Sequence, residues 1–374
     1  MAGNLLADMD DSLRHELPSD THALAQDPDL DASVTGGSEP TSEWPGVSVI
    51  MPVRNEERHL AEAVAGVLAQ EYPGELELVV AVGPSDDRTA EIARRLAAED
   101  TRVRLVENPG GTTPAGLNMA ISAARHGIVV RVDGHGILSD GYVRRSVEVL
   151  EETGAANVGG IMHAEGTTGF ERAVAFAYCS KLGLGGGRFH VGGPPGPADT
   201  VYLGAFRRDV LDRLGGYDEH FIRAQDWELN YRIRAAGEQV WFTPDLKVSY
   251  RPRSSLRALA RQFLRTGQWR REVVRKYPDT ATARYLAPPV LAVAVASGTA
   301  AGVAALLGAW SWLALGWILP AGYVAGVVAA GLVVGRRLPG RARAWLPAVL
   351  ATIHLSWGAG FLMGPRMHTR SGRP

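Results

Sequence analysis

Val47-Ser-Val-Ile-Met-Pro-Val53-Arg-Asn-Glu56 is the stretch that decides the fold. It is a short, β-branched, apolar run that breaks off into polar residues, the pattern of a buried strand. A helix-period segment follows from His59 to Gln70. The alternation repeats outward. Leu76 to Val82 is a second apolar run, and Ser85-Asp-Asp-Arg-Thr precedes a helix over Ala90–Glu99 with a capping signal. Val103-Arg-Leu-Val-Glu is a third strand, Asn108-Pro-Gly-Gly a turn, Ala115 to Ala124 a helix, and Ile128-Val-Val-Arg-Val a fourth strand. Strands alternating with helices of about ten residues predict an α/β fold with a mainly parallel, doubly wound sheet. Such sheets bind ligands beyond the carboxyl ends of their strands. Arg54-Asn-Glu, Ser85-Asp-Asp and Asp133-Gly-His135 all lie just past such ends.

The chain of 374 residues is long enough for two or three domains. Its single Cys179 excludes an intramolecular disulfide framework and a multi-cysteine zinc site. The net charge of −1 hides a segregation. Residues 1–44 carry ten Asp and Glu against one Arg, which predicts a disordered acidic tail. The start lacks the basic and long apolar regions of a signal peptide. Residues 247–276 carry ten Lys and Arg against one acid, and Tyr285 to Gly335 carry no charge at all. A polar body joined to so apolar a tail excludes a simple soluble enzyme.

Leu286–Ala309, Trp312–Val334 and Ala344–Met363 each supply the roughly 20 apolar residues that a membrane span needs. Five of the nine Trp lie between 310 and 357, as an interfacial belt would place them. The basic 247–276 segment and the Arg336–Arg343 cluster are expected on the cytoplasmic side. Three spans would put Arg366, Arg370 and Arg373 outside, a tension that a re-entrant third segment would remove. The expected organisation is an acidic tail over 1–44, a catalytic domain over 45–250, a basic amphipathic interfacial helix region over 251–284, membrane helices over 285–364 and a tail over 365–374. Leu256, Leu259, Phe263 and Trp269 form the apolar face of the interfacial helix.

Four stretches in this order and spacing carry more than their local structure: Val49-Ile-Met-Pro-Val-Arg-Asn-Glu, Arg131-Val-Asp-Gly-His, Gly215-Gly-Tyr-Asp-Glu and Gln225-Asp-Trp-Glu-Leu-Asn-Tyr-Arg. Together they resemble the family 2 glycosyltransferases, within them the bacterial membrane-attached enzymes of succinoglycan-biosynthesis type. The resemblance covers about residues 46–280 and the spans in outline. It implies a GT-A-type doubly wound mixed sheet, a nucleotide-diphospho-sugar donor and inversion at the anomeric carbon.

Asp133-Gly-His135 stands where the family has its metal-binding D-x-D motif. In an extended segment residues i and i+2 point the same way, so both side chains can converge on one divalent cation at the departing diphosphate. Histidine in the second place makes Mn²⁺ at least as plausible as Mg²⁺. Asp226 aligns with the family's catalytic base, which takes a proton from the acceptor hydroxyl. Glu228 is assigned a supporting role, with an i,i+4 ion pair to Arg232 as its alternative. Pro52, Arg54 and Glu56 are expected at the nucleotide, with Asp87 and Asp133. Relatives commonly carry a uracil-reading carboxylate at Val82 or Gly83, and here it is missing. A UDP-sugar is nonetheless the leading donor.

The expected activity is transfer of one sugar to a lipid-linked or glycan acceptor at the cytoplasmic face of the inner (plasma) membrane, in exopolysaccharide or cell-envelope synthesis. No nucleic acid partner is expected. The alternatives are a processive polysaccharide synthase, which the displaced Trp269 after Gln262-x-x-Arg265 disfavours, and an inactive nucleotide-sugar-binding scaffold.

Overall fold

A computed structural model describes residues 44–365. The acidic tail expected over 1–44 lies outside them save for Trp44, and so does the basic terminus from residue 366.

The strands are β1 (Val47–Val53), β2 (Leu76–Val82), β3 (Val103–Glu107), β4 (Ile128–Arg131), β5 (Ile137–Leu138), β6 (Asn157–Ala164), β7 (Gly196–Pro197), β8 (Tyr202–Arg207) and β9 (Val240–Tyr250). They form one sheet in the order β3-β2-β1-β4-β8-β6-β9-β5, with β7 on β9. β3, β2, β1 and β4 are parallel, and β8 enters antiparallel between β4 and β6. The sheet is therefore mixed, in agreement with the expected α/β class.

The helices in the same body are α1 (Leu60–Leu68), α2 (Thr89–Glu99), α3 (Thr113–Ala123), α4 (Tyr142–Thr153), α5 (Gly169–Tyr178), α6 (Lys181–Leu184), α7 (Arg188–Val191), α8 (Arg208–Leu214) and α9 (Gln225–Ala235). β1 shows why they cover both faces. Val47, Val49, Met51 and Val53 pack with Leu60, Val64 and Val67 of α1, whereas Ile50 packs with Leu117, Ala120 and Ile121 of α3. Successive residues of a strand point to opposite faces, so an all-apolar run needs a helix on each. Full burial of each such aliphatic side chain contributes about 1.5–3 kcal/mol.

Four longer helices follow: α10 (Leu256–Lys276), α11 (Ala283–Leu306), α12 (Ile318–Val333) and α13 (Gly340–Met363). α11, the 3₁₀–α12–3₁₀ run Ser311–Arg337, and α13 are long and apolar enough to cross a membrane. α11 and the Ser311–Arg337 run form a close hairpin, in which a Cβ on Gly298 would come within 2.6 Å of the Gly316 carbonyl. Large apolar side chains such as Leu306, Leu307, Trp310 and Ile318 stand exposed on it.

α13 is more enclosed. His354 is hydrogen-bonded through Nε2 to the Leu182 carbonyl (2.7 Å) and through Nδ1 to the Tyr323 hydroxyl (3.2 Å). Against α10 the backbones touch: a Cβ at Gly267 would overlap the Trp357 carbonyl, and one at Gly360 the Leu264 carbonyl. The helix expected over the basic segment is thus present as α10, but its apolar positions meet protein. Leu259 and Phe263 pack with α5 and α13, whereas Trp269 and Val273 pack with Phe221 and Trp227. The lipid-facing apolar stripe expected there is a buried one.

Candidate active site

The parallel half of the sheet sets the site. β1 and β4 are parallel neighbours, so the loops that follow them lie side by side at their carboxyl ends, where such sheets bind ligands. Glu56 follows β1 and His135 follows β4, and they meet there, Glu56 Oε1 to His135 Nδ1 at 2.8 Å. The Glu56 hydrogen bond, ahead of the opposing effect of burial, raises the His135 pKa.

Arg131 closes β4 and is 2 % exposed. Its Nη2 donates to Asp133 Oδ1 at 3.0 Å and its Nε to the same oxygen at 3.3 Å. Its Nη1 pairs with Asp226 Oδ1. The guanidinium lies 5.7 Å from the Tyr217 ring centroid. A buried cation is tolerated only when paired, and here it is paired twice. Burial alone would raise the Asp133 pKa, but Arg131 and His135 hold it below the usual carboxylate range.

The Tyr217 segment is itself fixed. Asn118 of α3 donates to the Tyr217 carbonyl and accepts from its amide, both at 2.8 Å. The preceding Gly216 has φ +68 and faces the Asn118 amide oxygen, so the position takes no side chain without displacement. Ala224, at φ +60, is the N-cap of α9. Asp226 is therefore the second residue of the helix, not its cap, and its carboxylate reaches Arg131.

The other expected residues divide. The loop after β1 is zipped to the loop after β2. Asn55 Oδ1 accepts from the Asp86 amide (2.8 Å), the Glu56 amide donates to Thr89 Oγ1 (2.7 Å), and the Glu57 amide donates to Asp87 Oδ2 (3.2 Å). Asp87 also accepts from the Thr89 amide and hydroxyl, and the hydroxyl bond leads the effects that lower its pKa. It fastens two loops and satisfies the first amide of α2, whose N-cap residue Arg88 makes no side-chain cap bond. Pro52 is half-buried at the end of β1 beside Gly116 of α3, and Arg54 is exposed, donating to the Gly111 carbonyl at 3.2 Å.

Glu228 makes the i,i+4 ion pair to Arg232 that was the alternative to its supporting role. It is fully buried and bonded to Arg232 (2.8 Å), Lys276 Nζ (3.2 Å) and Tyr277 Oη (2.7 Å). These bonds fasten α9 to the end of α10, and none of them reaches Asp226.

Two features escaped the sequence reading. One is Arg131. The other is a group of cations, Arg223, Arg253 and Arg265. Burial, then Arg265 and Arg253, hold the Arg223 pKa below its ordinary value, and the field of Arg253 is felt at His135. None of the three has a carboxylate within salt-bridge distance among the described residues. Guanidiniums without a carboxylate partner, of which Arg253 (bonded to Gln262 Oε1 at 3.2 Å) acts electrostatically on His135, suit a diphosphate.

Among the described residues no three His, Cys, Asp or Glu side chains gather as a ready metal cage. Asp133 and His135 are a pair. Glu56 occupies His135 Nδ1, and Nε2 has no hydrogen-bond partner among the described residues. A carboxylate on one ring nitrogen is the usual orienting contact for a metal bound at the other. The donor set therefore fits a cation that draws its remaining ligands from phosphate oxygens and water.

The chain matches the family model "Glycosyltransferase like family 2" over residues 45–268. It is 34% identical over 319 residues to the succinoglycan biosynthesis protein ExoA of Rhizobium meliloti, covering 84% of this chain and 93% of that protein. It is 29% identical over 228 residues to the glycosyltransferase AglE of Haloferax volcanii, covering 60% of this chain and 72% of that one. Among solved structures it is similar to a mannosyltransferase of Pyrobaculum calidifontis in complex with GDP-Man and Mn²⁺. The TM-score is 0.54 at 21% identity, over 86% of this chain and 88% of that one.

Proposed function

The chain belongs to the family 2 glycosyltransferases, and from that premise we propose that it moves one sugar, with inversion, from a nucleotide-diphospho-sugar to a lipid-linked glycan on the cytoplasmic face of the membrane. The observation that carries this reading is the Arg131 bridge, which holds Asp133 and Asp226 on one guanidinium at the carboxyl end of β4. A donor-side acid and an acceptor-side base must lie on either side of one anomeric carbon for a single displacement.

In the proposed reaction Asp226 accepts the proton of the acceptor hydroxyl as its oxygen bonds to the anomeric carbon, and the bond to the diphosphate oxygen breaks. Asp133 and His135 are the residues that would hold a divalent cation, Mn²⁺ or Mg²⁺, which would supply positive charge to the leaving diphosphate. Arg223, Arg253 and Arg265 add positive charge on the same side. Pro52, Arg54 and Glu56 line the nucleotide end, and Asp87 keeps that end in shape. The similarity to a succinoglycan biosynthesis protein supports a place in exopolysaccharide or envelope glycan synthesis. α11 to α13 support residence in the inner membrane. Leu76–Val82 ends without a uracil-reading carboxylate, so the donor base is read by groups other than that one.

The test is nucleotide release by the full chain in detergent, with Mn²⁺ and a bacterial lipid extract, from UDP-, GDP- and dTDP-sugars. Lipid-dependent release from one donor supports the reading. Nucleotide binding with no release across a broad acceptor panel overturns it in favour of an inactive scaffold.

A further inference from the structure

Behind Asp226, at the root of the apolar hairpin, hydrogen-bond donors collect without acceptors. Arg270 of α10 is 9 % exposed, and its Nε and Nη1 are buried with no partner. Arg284 of α11 has a buried Nε with no partner, while its Nη2 reaches the Leu184 carbonyl at 3.1 Å. The indole Nε1 of Trp227 is likewise buried and unpaired. These side chains share one place. The Arg270 guanidinium lies 4.5 Å from the Trp227 ring centroid and 4.0 Å from that of Tyr285, and Arg284 lies 5.3 Å from Tyr285.

Neither arginine has a carboxylate within salt-bridge distance among the described residues. Burial, with Arg284 adding to it, pulls the Arg270 pKa down to about 10. Buried polar groups are nearly always satisfied, and aromatic faces supply no hydrogen-bond acceptor in the plane of a guanidinium. Four unmet N–H donors and two like charges gathered around the Trp227 and Tyr285 rings ask for an oxyanion with several lone pairs. Phosphate matches that demand, and guanidinium is the side chain that binds it in a fork.

Position narrows the source. Trp227 directly follows Asp226, and Arg284 and Tyr285 open the first apolar helix. The anion would therefore sit between the proposed base and the membrane's edge. We propose that Arg270, Arg284 and Trp227 bind the phosphate of the lipid-linked acceptor, an inference that rests on the transferase reading above. The phosphate then anchors the acceptor so that its sugar end is delivered to Asp226, while the prenyl chain leaves toward α11.

The experiment titrates the full-length chain in detergent with farnesyl phosphate, farnesol, dioleoyl phosphatidic acid and inorganic phosphate, by microscale thermophoresis. Farnesyl phosphate is expected to bind at least tenfold more tightly than any of the other three. Arg284→Gln and Arg270→Lys are expected to weaken it at least tenfold, with thermal melts reporting whether each variant is folded. The wild-type comparison stands even where a variant does not fold. Equal binding of farnesol shows that the phosphate is not read and overturns the proposal. Equal binding of phosphatidic acid marks a general headgroup site, and equal binding of inorganic phosphate a soluble-anion site; either overturns the acceptor assignment. UDP and GDP are titrated into the same protein. If a nucleotide binds and farnesyl phosphate does not, this inference alone fails. If neither binds, the transferase reading fails with it.

Discussion

Arg131 and Asp226 form an ion pair across 95 residues of chain, and the same guanidinium holds Asp133. One buried side chain thereby ties the end of a central strand to the first turn of α9. The two carboxylates take their separation from a planar fork.

Removing that fork should be costly. Deleting one partner of a buried ion pair costs about 3–5 kcal/mol, so Arg131→Met should lower the melting temperature clearly. Arg131→Lys keeps the charge and loses the two-sided geometry. It is expected to fold and to lose activity on the order of 10²-fold. A lysine variant with near-normal kcat/KM would show that the fork does not set the site.

Asp226→Asn should stop transfer and spare the donor. A positioned base contributes on the order of 10²–10⁴-fold, so a loss of that size in kcat is expected, with nucleotide affinity within a few-fold of wild type. Near-normal turnover would remove Asp226 from the reaction.

Glu228 should behave differently from its neighbour. Glu228→Ala leaves Arg232 without a carboxylate beside a vacated buried site, while Lys276 keeps its pair to Asp218 (2.6 Å), and a loss of about 3–5 kcal/mol is expected. At a temperature where the variant remains folded, its turnover should stay close to wild type. A cold-assayed loss as large as that of Asp226→Asn would return Glu228 to the chemistry.

Chelation should abolish nucleotide release, and added Mn²⁺ or Mg²⁺ should restore it. Glu56→Gln weakens the contact that orients His135 and should raise the metal concentration for half-activation about 10–100-fold. Full activity in EDTA would remove Asp133 and His135 as ligands.

Glu77 should contribute to acid sensitivity. It is 6 % exposed and accepts from Ser48 Oγ (2.7 Å), Arg104 Nη1 (2.8 Å) and the Arg125 amide (2.7 Å). Burial raises its pKa, but the Ser48 and Arg104 hydrogen bonds and the Arg125 amide outweigh it, leaving the value below 4.5. Because the folded value is depressed, the carboxylate stabilises the fold above the unfolded pKa, and this is lost as pH falls through the folded one. Glu77→Gln should cost about 1–3 kcal/mol at neutral pH. Urea unfolding from pH 7 downward should show a shallower acid loss in the variant than in wild type.

The parallel half of the sheet was legible because its signals are local. β3 begins and ends where the Val103–Glu107 run does, and α9 stops just before Gly237, which adopts φ +83. Arg131 was not legible. A charged residue closing an apolar strand has no periodicity to mark it, and its partner Asp226 is brought to it only by the fold. Asp87 was read from its match to the family motif, yet the bonds that occupy it come from Thr89 two residues on and from Glu57 on another loop. α10 was read as facing lipid because its apolar spacing is real. Spacing along one helix carries no information on whether the neighbour is a lipid or another helix, and the decisive contacts lie with Trp357 and Gly360 of α13.

The glycine contacts between α10 and α13 leave no slack between the catalytic body and the bilayer-sized helices. An enzyme on a loose leash samples termini at many heights. A rigidly seated one works at a single altitude. For an acceptor held by its lipid end, that altitude measures glycan length: a chain one sugar too short stops below the base, and one too long overshoots it. Under the proposed reading the anchor would double as a caliper, placing in the membrane seat a selectivity for the stage of assembly that the sugar pocket need not provide.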